Sequence, residues 1–251
     1  MSIPAYFILG TPNSGRRGLC ADVCKNAFDG QKVVVFVSEN EPECTCAQQL
    51  AACAQVVQYT AAAAPEKTAA LAPDTDAVLF VADSSENVAD SVENFKRIVD
   101  AGKIRLARIW SVADCKVATE FPKQTAPFFE ALSHFADCLM LSRRSGVSNA
   151  AVNEFVVPFK KQCKPHLIEY MDKFDRVANP MEIVVEQARR ISMLFDEYDP
   201  VDELDLDEDN LPEEPFDLQR KPDPYLDTLP NGCRKNPIPD ISKFVKLSHE
   251  K

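Results

Sequence analysis

The chain begins with an apolar run that leads into a glycine-containing turn, and this junction constrains the fold more than any other segment. Residues 5–9 read AYFIL, the next eight read GTPNSGRR, and a segment of helical character follows. A buried strand that passes through such a turn into a helix is typical of α/β proteins that hold phosphate on main-chain N–H groups. We therefore expect the turn to curl into a nest for negative charge.

The turn matches the phosphate-loop pattern GxxxxGK[ST] at Gly10 and Gly15 and departs from it at the next two positions. In the intact pattern the lysine reaches the outer phosphates and the hydroxyl ligates Mg²⁺. Arg16 keeps a positive charge on a longer, planar group, whereas Arg17 cannot ligate a cation. The turn thus predicts a phosphate-binding shape and argues against Mg²⁺ bound in the usual way. The predicted cofactor-binding residues are Gly10, Thr11, Pro12, Asn13, Ser14, Gly15, Arg16 and Arg17.

The pattern of elements predicts an α/β fold in three layers. Short apolar runs at 5–9, 33–37, 78–81, 104–112, 138–141 and 167–170 alternate with segments of helical spacing at 16–28, 88–101, 125–135 and 149–161. Continuous apolar strands are covered on both faces, and repeated βαβ units give a mostly parallel sheet. Helical spacing over 181–195, preceded by Pro180, predicts a closing helix.

Charge divides the chain into two predicted domains. The net charge is −11, but residues 196–251 hold 16 acidic and 7 basic residues, which leaves 23 acidic and 21 basic residues in 1–195. We expect an α/β domain at 1–195 and an acidic, proline-rich tail at 196–251 that is extended or docked on the domain. This balance disfavours nucleic acid as a partner. No apolar run is long enough for a membrane span, and no secretory signal is present, which favours the cytoplasm.

Four segments together resemble the CobW family of P-loop GTPases, which includes metal-insertion proteins and metallochaperones. The first is the strand and turn at 6–19. The second is Val37-Ser38-Glu39-Asn40-Glu41, similar to a family strand that ends in an Asn-Glu pair. The third is 76–95, DAVLFVADSSENVADSVENF, where Asp83 stands near the family's acidic position. The fourth is 111–147. The resemblance implies a P-loop NTPase-like fold and GTP or another nucleotide as cofactor.

Two further family motifs are altered in the chain. The guanine-reading Asn-Lys-x-Asp position reads Ser142-Arg143-Arg144-Ser145, which lacks the carboxylate that would bind guanine. The region that matches the family's Cys-x-Cys-Cys metal motif, residues 56–60, contains no cysteine. Arg143 and Arg144 follow a strand, at the sheet edge where ligands bind in parallel sheets. Together with Arg16 and Arg17 they form either a basic mouth around an anion, over which the acidic tail can fold, or a solvated surface pair.

Three functional hypotheses follow. The first is a regulatory module that binds nucleotide or another anion weakly and hydrolyses little or no GTP. The second is a pseudo-GTPase that acts purely through contacts with an unidentified protein partner. The third is an active GTPase of metal homeostasis with an atypical site. Loss of the cation ligand removes the charge neutralisation on which phosphoryl-transfer catalysis mainly depends, so no catalytic residue is assigned. Asp83, Asp90 and Asp114 remain possible acidic ligands.

The nine cysteines predict reduced thiols rather than a disulfide scaffold. Cys44 and Cys46, with Cys53 seven residues later, offer thiolates at a spacing that suits a soft metal, but a complete set of four ligands is not evident. The alternative is that cysteine serves there as a small apolar residue. Cys20 and Cys24, at helical spacing, are expected in the core.

Overall fold

A computed structural model describes residues 2–196 and 222–249. Seven strands form one sheet in which every strand pair is parallel, with the order β3-β2-β4-β1-β5-β6-β7. The strands are β1 Ile3–Gly10, β2 Val33–Ser38, β3 Gln55–Tyr59, β4 Ala77–Val81, β5 Ile104–Asp114, β6 Cys138–Ser142 and β7 Leu167–Tyr170. The helices are α1 Arg16–Asn26, α2 Ala47–Cys53, α3 Ala64–Ala69, α4 Val88–Asp100, α5 Cys115–Glu120, α6 Pro122–Phe135, α7 Asn149–Lys161, α8 Pro180–Val184 and α9 Ser242–His249.

Strand β1 lies at the centre of this sheet because apolar side chains project from both of its faces. Tyr6 and Ile8 enter one cluster with Leu19 of α1. Phe7 faces the other side, where its ring stacks 4.2 Å from that of Phe95 in α4. A strand buried on both faces needs a helix layer on each. The predicted three-layer α/β fold with a mostly parallel sheet is confirmed.

The predicted closing helix over 181–195 is wrong beyond its first turn, since α8 ends at Val184. The guanidinium of Arg108, which is 2% exposed, donates to the carbonyls of Glu182, Ile183 and Gln187. The buried carboxylate of Asp137 accepts the N–H groups of residues 189 and 190 at 2.6 and 3.1 Å. These side chains take the main-chain groups that a helix would have paired internally.

Contacts between residues divide the chain into two units. Among the described residues, one compact unit comprises 2–191 and 238–249, and a second comprises 192–196 and 222–237. Within the first unit, Ile238, Ile241 and Val245 are buried, and the rings of Phe121 and Phe244 lie 5.0 Å apart. In the second unit, Thr228 and Arg234 form an antiparallel bridge. The predicted boundary at 195 stays a prediction, and most of the acidic run at 196–217 lies outside the described residues.

None of the helices within 2–196 and 222–249 has the length and apolar character needed to cross a bilayer.

Candidate functional site

The turn between β1 and α1 is curled at the carboxyl edge of the sheet. Gly10, Asn13 and Gly15 have φ of 145°, 60° and 96°, so three of its six residues lie at positive φ. The Ser14 hydroxyl donates to the Thr11 carbonyl at 2.7 Å, and the Leu19 N–H donates to the Gly15 carbonyl at 2.9 Å. Residues of alternating hand at a helix N-terminus make the backbone shape that binds anions on its N–H groups.

Glycine is required at two positions of the turn. A Cβ on Gly10 would lie 2.6 Å from the Val112 carbonyl oxygen of β5. A Cβ on Gly15 would lie 2.4 Å from a carboxylate oxygen of Asp175. The two glycines therefore allow a close approach as well as the positive φ. The approaching group at Gly15 is an acidic side chain of the protein itself.

Arg16, in the position of the phosphate-binding lysine, is turned into the protein. It is 3% exposed, and one terminal nitrogen donates to both carboxylate oxygens of Glu41 at 2.7 and 2.8 Å. The other donates to the Ala82 carbonyl at 2.6 Å, and Glu41 also accepts the Ser84 N–H. Arg16 thus links the loops after β2 and β4, and its charge is compensated internally. Its Nε atom is buried and has no partner within the described residues.

The residues around the turn do not fit Mg²⁺ in the usual arrangement. The Arg17 guanidinium, in the hydroxyl position, donates to the Pro42 carbonyl. The Asp83 carboxylate accepts hydrogen bonds from Ser38, Asn40 and Ser85 at 2.6 to 2.8 Å. Burial opposes ionisation of Asp83, but these hydrogen bonds outweigh it and hold its pKa below the ordinary value. Its oxygens are already used by protein donors.

Arg143 joins the turn to the loop after β7. Its Nε donates to the Asn13 carbonyl at 2.7 Å, and its Nη1 donates to the Asp175 carboxylate at 2.7 Å. Burial raises the pKa of Asp175, and the neighbouring Arg143 only partly offsets this. An open pocket lies beside the turn, and its lining includes Gly15, Arg17 and the side chains of Arg143 and Asp175.

The loop that carries Asp175 is tied to α1 by a second contact. The buried Asp22 carboxylate accepts the Val177 N–H at 3.2 Å, and Val177 forms an antiparallel bridge with Met171. Asp172 accepts the N–H of residue 176 at 3.0 Å and pairs with the Arg176 guanidinium at 2.8 Å. The loop is therefore a defined turn that holds Asp175 over the start of α1.

The four arginines of the predicted basic mouth do not form one cluster. Arg16, Arg17 and Arg143 line the same pocket, but the first two bind Glu41 and Pro42. Arg144 points elsewhere and donates to the Met171 carbonyl at 3.1 Å. Arg143 alone hydrogen-bonds the turn.

The other candidate acidic ligands are separated. Asp114, fully buried at the end of β5, accepts the Val117 N–H and lies 2.7 Å from Nε2 of His249. Asp90 lies in the first turn of α4. Over residues 2–196 and 222–249, no three His, Cys, Asp or Glu side chains are grouped to hold a metal ion.

The cysteines differ in part from the sequence prediction. Cys44 and Cys46 are joined by a disulfide, which corrects the prediction of reduced thiols for this pair. The third thiol of the considered metal site, Cys53, donates to the Gln49 carbonyl at 3.3 Å. Cys20 and Cys24 are buried in the core as predicted, and burial raises the pKa of the Cys20 thiol to about 12.

Comparison with known proteins gives matches of structure and not of sequence. No protein family and no curated protein matches the chain. The GDP complex of signal recognition particle receptor FtsY from Elizabethkingia anophelis is 15% identical, with 78% of this chain and 65% of that chain covered and a TM-score of 0.48. Cell division protein FtsY from Thermotoga maritima is 17% identical, with 72% and 67% covered and a TM-score of 0.49. Zn(II)-bound YjiA GTPase from E. coli is 12% identical, with 75% and 67% covered and a TM-score of 0.43.

The chain spans about two thirds of the length of these proteins. Similarity at this level carries no statement about ligand or activity.

Two residues that shape the site were not predicted as parts of it. Glu41 stands in an Asn-Glu pair quoted for the family resemblance, and a buried arginine next to the turn would have required such a partner. Asp175 had no comparable signal, because its place over Gly15 depends on how the loop after β7 folds back onto α1.

Proposed function

We propose that this protein is a CobW-like P-loop protein with degenerate nucleotide motifs, which binds a nucleotide or a related phosphorylated anion weakly and hydrolyses little or no GTP. The observation that carries this proposal is the curled turn with Gly10, Asn13 and Gly15 at positive φ, at the start of a helix and beside an open pocket. Main-chain N–H groups at that place would hold phosphate without help from a lysine.

The side chains support binding rather than hydrolysis. The terminal nitrogens of Arg16 are held by Glu41 and the Ala82 carbonyl, so the charge at the position that neutralises the outer phosphates in an intact loop is already compensated within the protein. Arg17 replaces the hydroxyl that would hold Mg²⁺. Phosphoryl transfer depends on positioning and on charge neutralisation, and these residues supply neither at the usual places. The protein would therefore act as a regulatory binding module.

A second candidate is a pseudo-GTPase that acts only through protein contacts. It is favoured by one observation, the Asp175 carboxylate over Gly15, where it would repel an entering phosphate. In this case the turn keeps its curled shape but binds no phosphate, because the loop after β7 covers it.

Isothermal titration calorimetry of the full chain with GTP, GDP and ATP, each with and without Mg²⁺, tests the proposal. We expect a measurable affinity that changes less than twofold when Mg²⁺ is omitted, and no release of phosphate above background in a parallel assay. If none of the three nucleotides gives a heat of binding, the second candidate is favoured. Phosphate release that requires Mg²⁺ would instead support an active GTPase.

A further inference from the structure

A second pocket shares Arg143 with the pocket at the turn, and half of its lining residues are lysine or arginine. It lies beyond the carboxyl ends of β5, β6 and β7 and is open to solvent. We call it the basic pocket, and its charged or titratable lining residues are Lys116, Arg143, Arg144, Asp172, Lys173 and His249. Since the chain carries a net charge of −11, this concentration of positive charge is local and not a property of the whole surface.

Half of these residues contact a charged or titratable partner within the protein. Arg143 pairs with Asp175, and Asp172 pairs with Arg176. His249 lies against the Asp114 carboxylate. The charges of Arg143 and Asp172 are therefore compensated and contribute little net potential to the pocket, and His249 faces a carboxylate.

The other three cations have neutral partners among the described residues. Lys116 donates to the Ser248 carbonyl. Arg144 donates to the Met171 carbonyl at 3.1 Å, and its guanidinium lies 4.9 Å from the Tyr170 ring centre. The Lys173 ammonium lies 5.0 Å from the Phe174 ring centre. Carbonyl and ring contacts orient these groups but leave three positive charges around one cleft without a counter-charge from residues 2–196 and 222–249.

The basic pocket and the pocket at the turn are neighbours, because Arg143 lines both. Position 145, where a carboxylate would read guanine, is a serine that also lines the basic pocket. A base presents hydrogen-bond donors and acceptors, and three uncompensated cations are poorly matched to it. They suit a phosphate group, which offers two negative charges and several acceptor oxygens.

From this arrangement we infer that the basic pocket is a second anion site, and that the ligand carries two separate phosphate groups, one held by the turn at Gly10–Gly15 and one by Lys116, Arg144 and Lys173. The inference rests on the proposed function, since it assigns the ligand class of that same site. The ligand is then a nucleotide phosphorylated at two positions of its sugar, rather than a guanine nucleotide with one phosphate chain.

Calorimetry with two matched probes tests the inference. Adenosine 3′,5′-bisphosphate and ADP have the same base and the same number of phosphates, and they differ in where the phosphates are attached. We expect the bisphosphate to bind the full chain at least tenfold more tightly than ADP. We expect the double variant R144Q/K173Q to lose that preference while its affinity for ADP changes less than twofold.

The control is Lys164→Gln, since Lys164 also lies over a phenylalanine ring, that of Phe159, but outside the basic pocket. It should keep the full preference. Equal affinity for ADP and the bisphosphate would overturn the inference. A preference for the bisphosphate that is retained in R144Q/K173Q would also overturn it. Both results would leave the proposed function unaffected. Failure of both probes to bind would overturn the proposed function, and the inference with it.

Discussion

At the scale of single residues, the pair formed by Arg16 and Glu41 has the largest effect on the site. Both side chains are 3% exposed or less, and they share two short contacts. Buried ion pairs are expensive to break, because the remaining charge has no water to solvate it. The substitution of arginine for lysine therefore changes the role of this position from a ligand contact to a structural link between two loops.

Glu41→Gln should lower the free energy of unfolding by about 3–5 kcal/mol, because Arg16 would keep a buried charge without a counter-charge. Urea denaturation followed by circular dichroism measures this. The control is Glu186→Gln, which removes the carboxylate from a surface pair with Arg105 whose side chains are 42% and 45% exposed. That change should cost less than about 1 kcal/mol. Equal costs for the two variants would contradict the structural role of Glu41.

Asp175 is expected to compete with any anion at the turn. Asp175→Asn keeps an oxygen for Arg143 and removes the charge, so sulfate should bind about tenfold more tightly, which corresponds to about 1.4 kcal/mol. Asp74→Asn changes the net charge equally at an exposed site and should leave the affinity unchanged. An unchanged affinity in Asp175→Asn would show that the carboxylate does not face the anion.

The raised pKa of Asp175 also gives a pH dependence. As the pH falls through this pKa the carboxyl group becomes neutral, so sulfate affinity should rise in the wild type and stay flat in Asp175→Asn. Sulfate itself keeps its charge over this range. Because the native state holds the proton more tightly than the unfolded chain, the contribution of Asp175 to stability falls as the pH rises through the same range.

At the scale of elements, Asp137 determines how the chain continues after α8. Its carboxylate is fully buried, accepts the Ile109 N–H at 2.7 Å, and receives two N–H groups from the segment that follows α8. The hydrophobic pattern over 181–195 favours a helix, but the tertiary hydrogen bonds to Asp137 stabilise a non-helical segment after α8 more strongly. Hydrogen bonds to a charged acceptor are worth about 1.5–3 kcal/mol each, which exceeds the propensity differences that favour a helix.

Asp137→Ala should therefore destabilise the protein by about 3–5 kcal/mol, since several buried donors lose a charged acceptor. Native-state hydrogen exchange should show faster exchange at the amides of residues 189 and 190 than in the wild type. Asp76→Ala gives a control, because that carboxylate accepts a single exposed N–H, that of Lys32, at 2.7 Å. Protection that persists at 189 and 190 in Asp137→Ala would mean that another group holds this segment.

The elements that could be predicted from the sequence are those with a strong local pattern of apolar residues. The six strands predicted from apolar runs are all present, and β7 has the bounds 167–170 that the sequence indicated. Strand β3 was missed because it is an edge strand with mostly exposed side chains, so its sequence lacks the apolar run that marks the others. Helices α5 and α9 are too short to show a clear periodic pattern. They depend on tertiary contacts, such as that between the ring of Phe121, which follows α5, and the ring of Phe244 in α9.

At the scale of the whole molecule, the sequence predicted the sheet and the place of the turn but not the state of its side chains. The glycines and the apolar strand are local signals, whereas the partners of Arg16 and Arg143 come from loops 25 and 32 residues away along the chain. Long-range pairs of this kind depend on how three loops meet at one sheet edge. For the same reason the predicted basic mouth became two adjoining pockets, joined by Arg143.

The central claim is that the main chain of the turn binds phosphate. A titration of the ¹⁵N-labelled full chain with GDP, without Mg²⁺, tests it most directly through the backbone amide chemical shifts. We predict saturable shifts for the amides of residues 13–16 and none for Gly30, which also has positive φ but lies in an open turn. Saturable binding that leaves the amides of 13–16 unmoved, or no binding at millimolar GDP, would contradict the account.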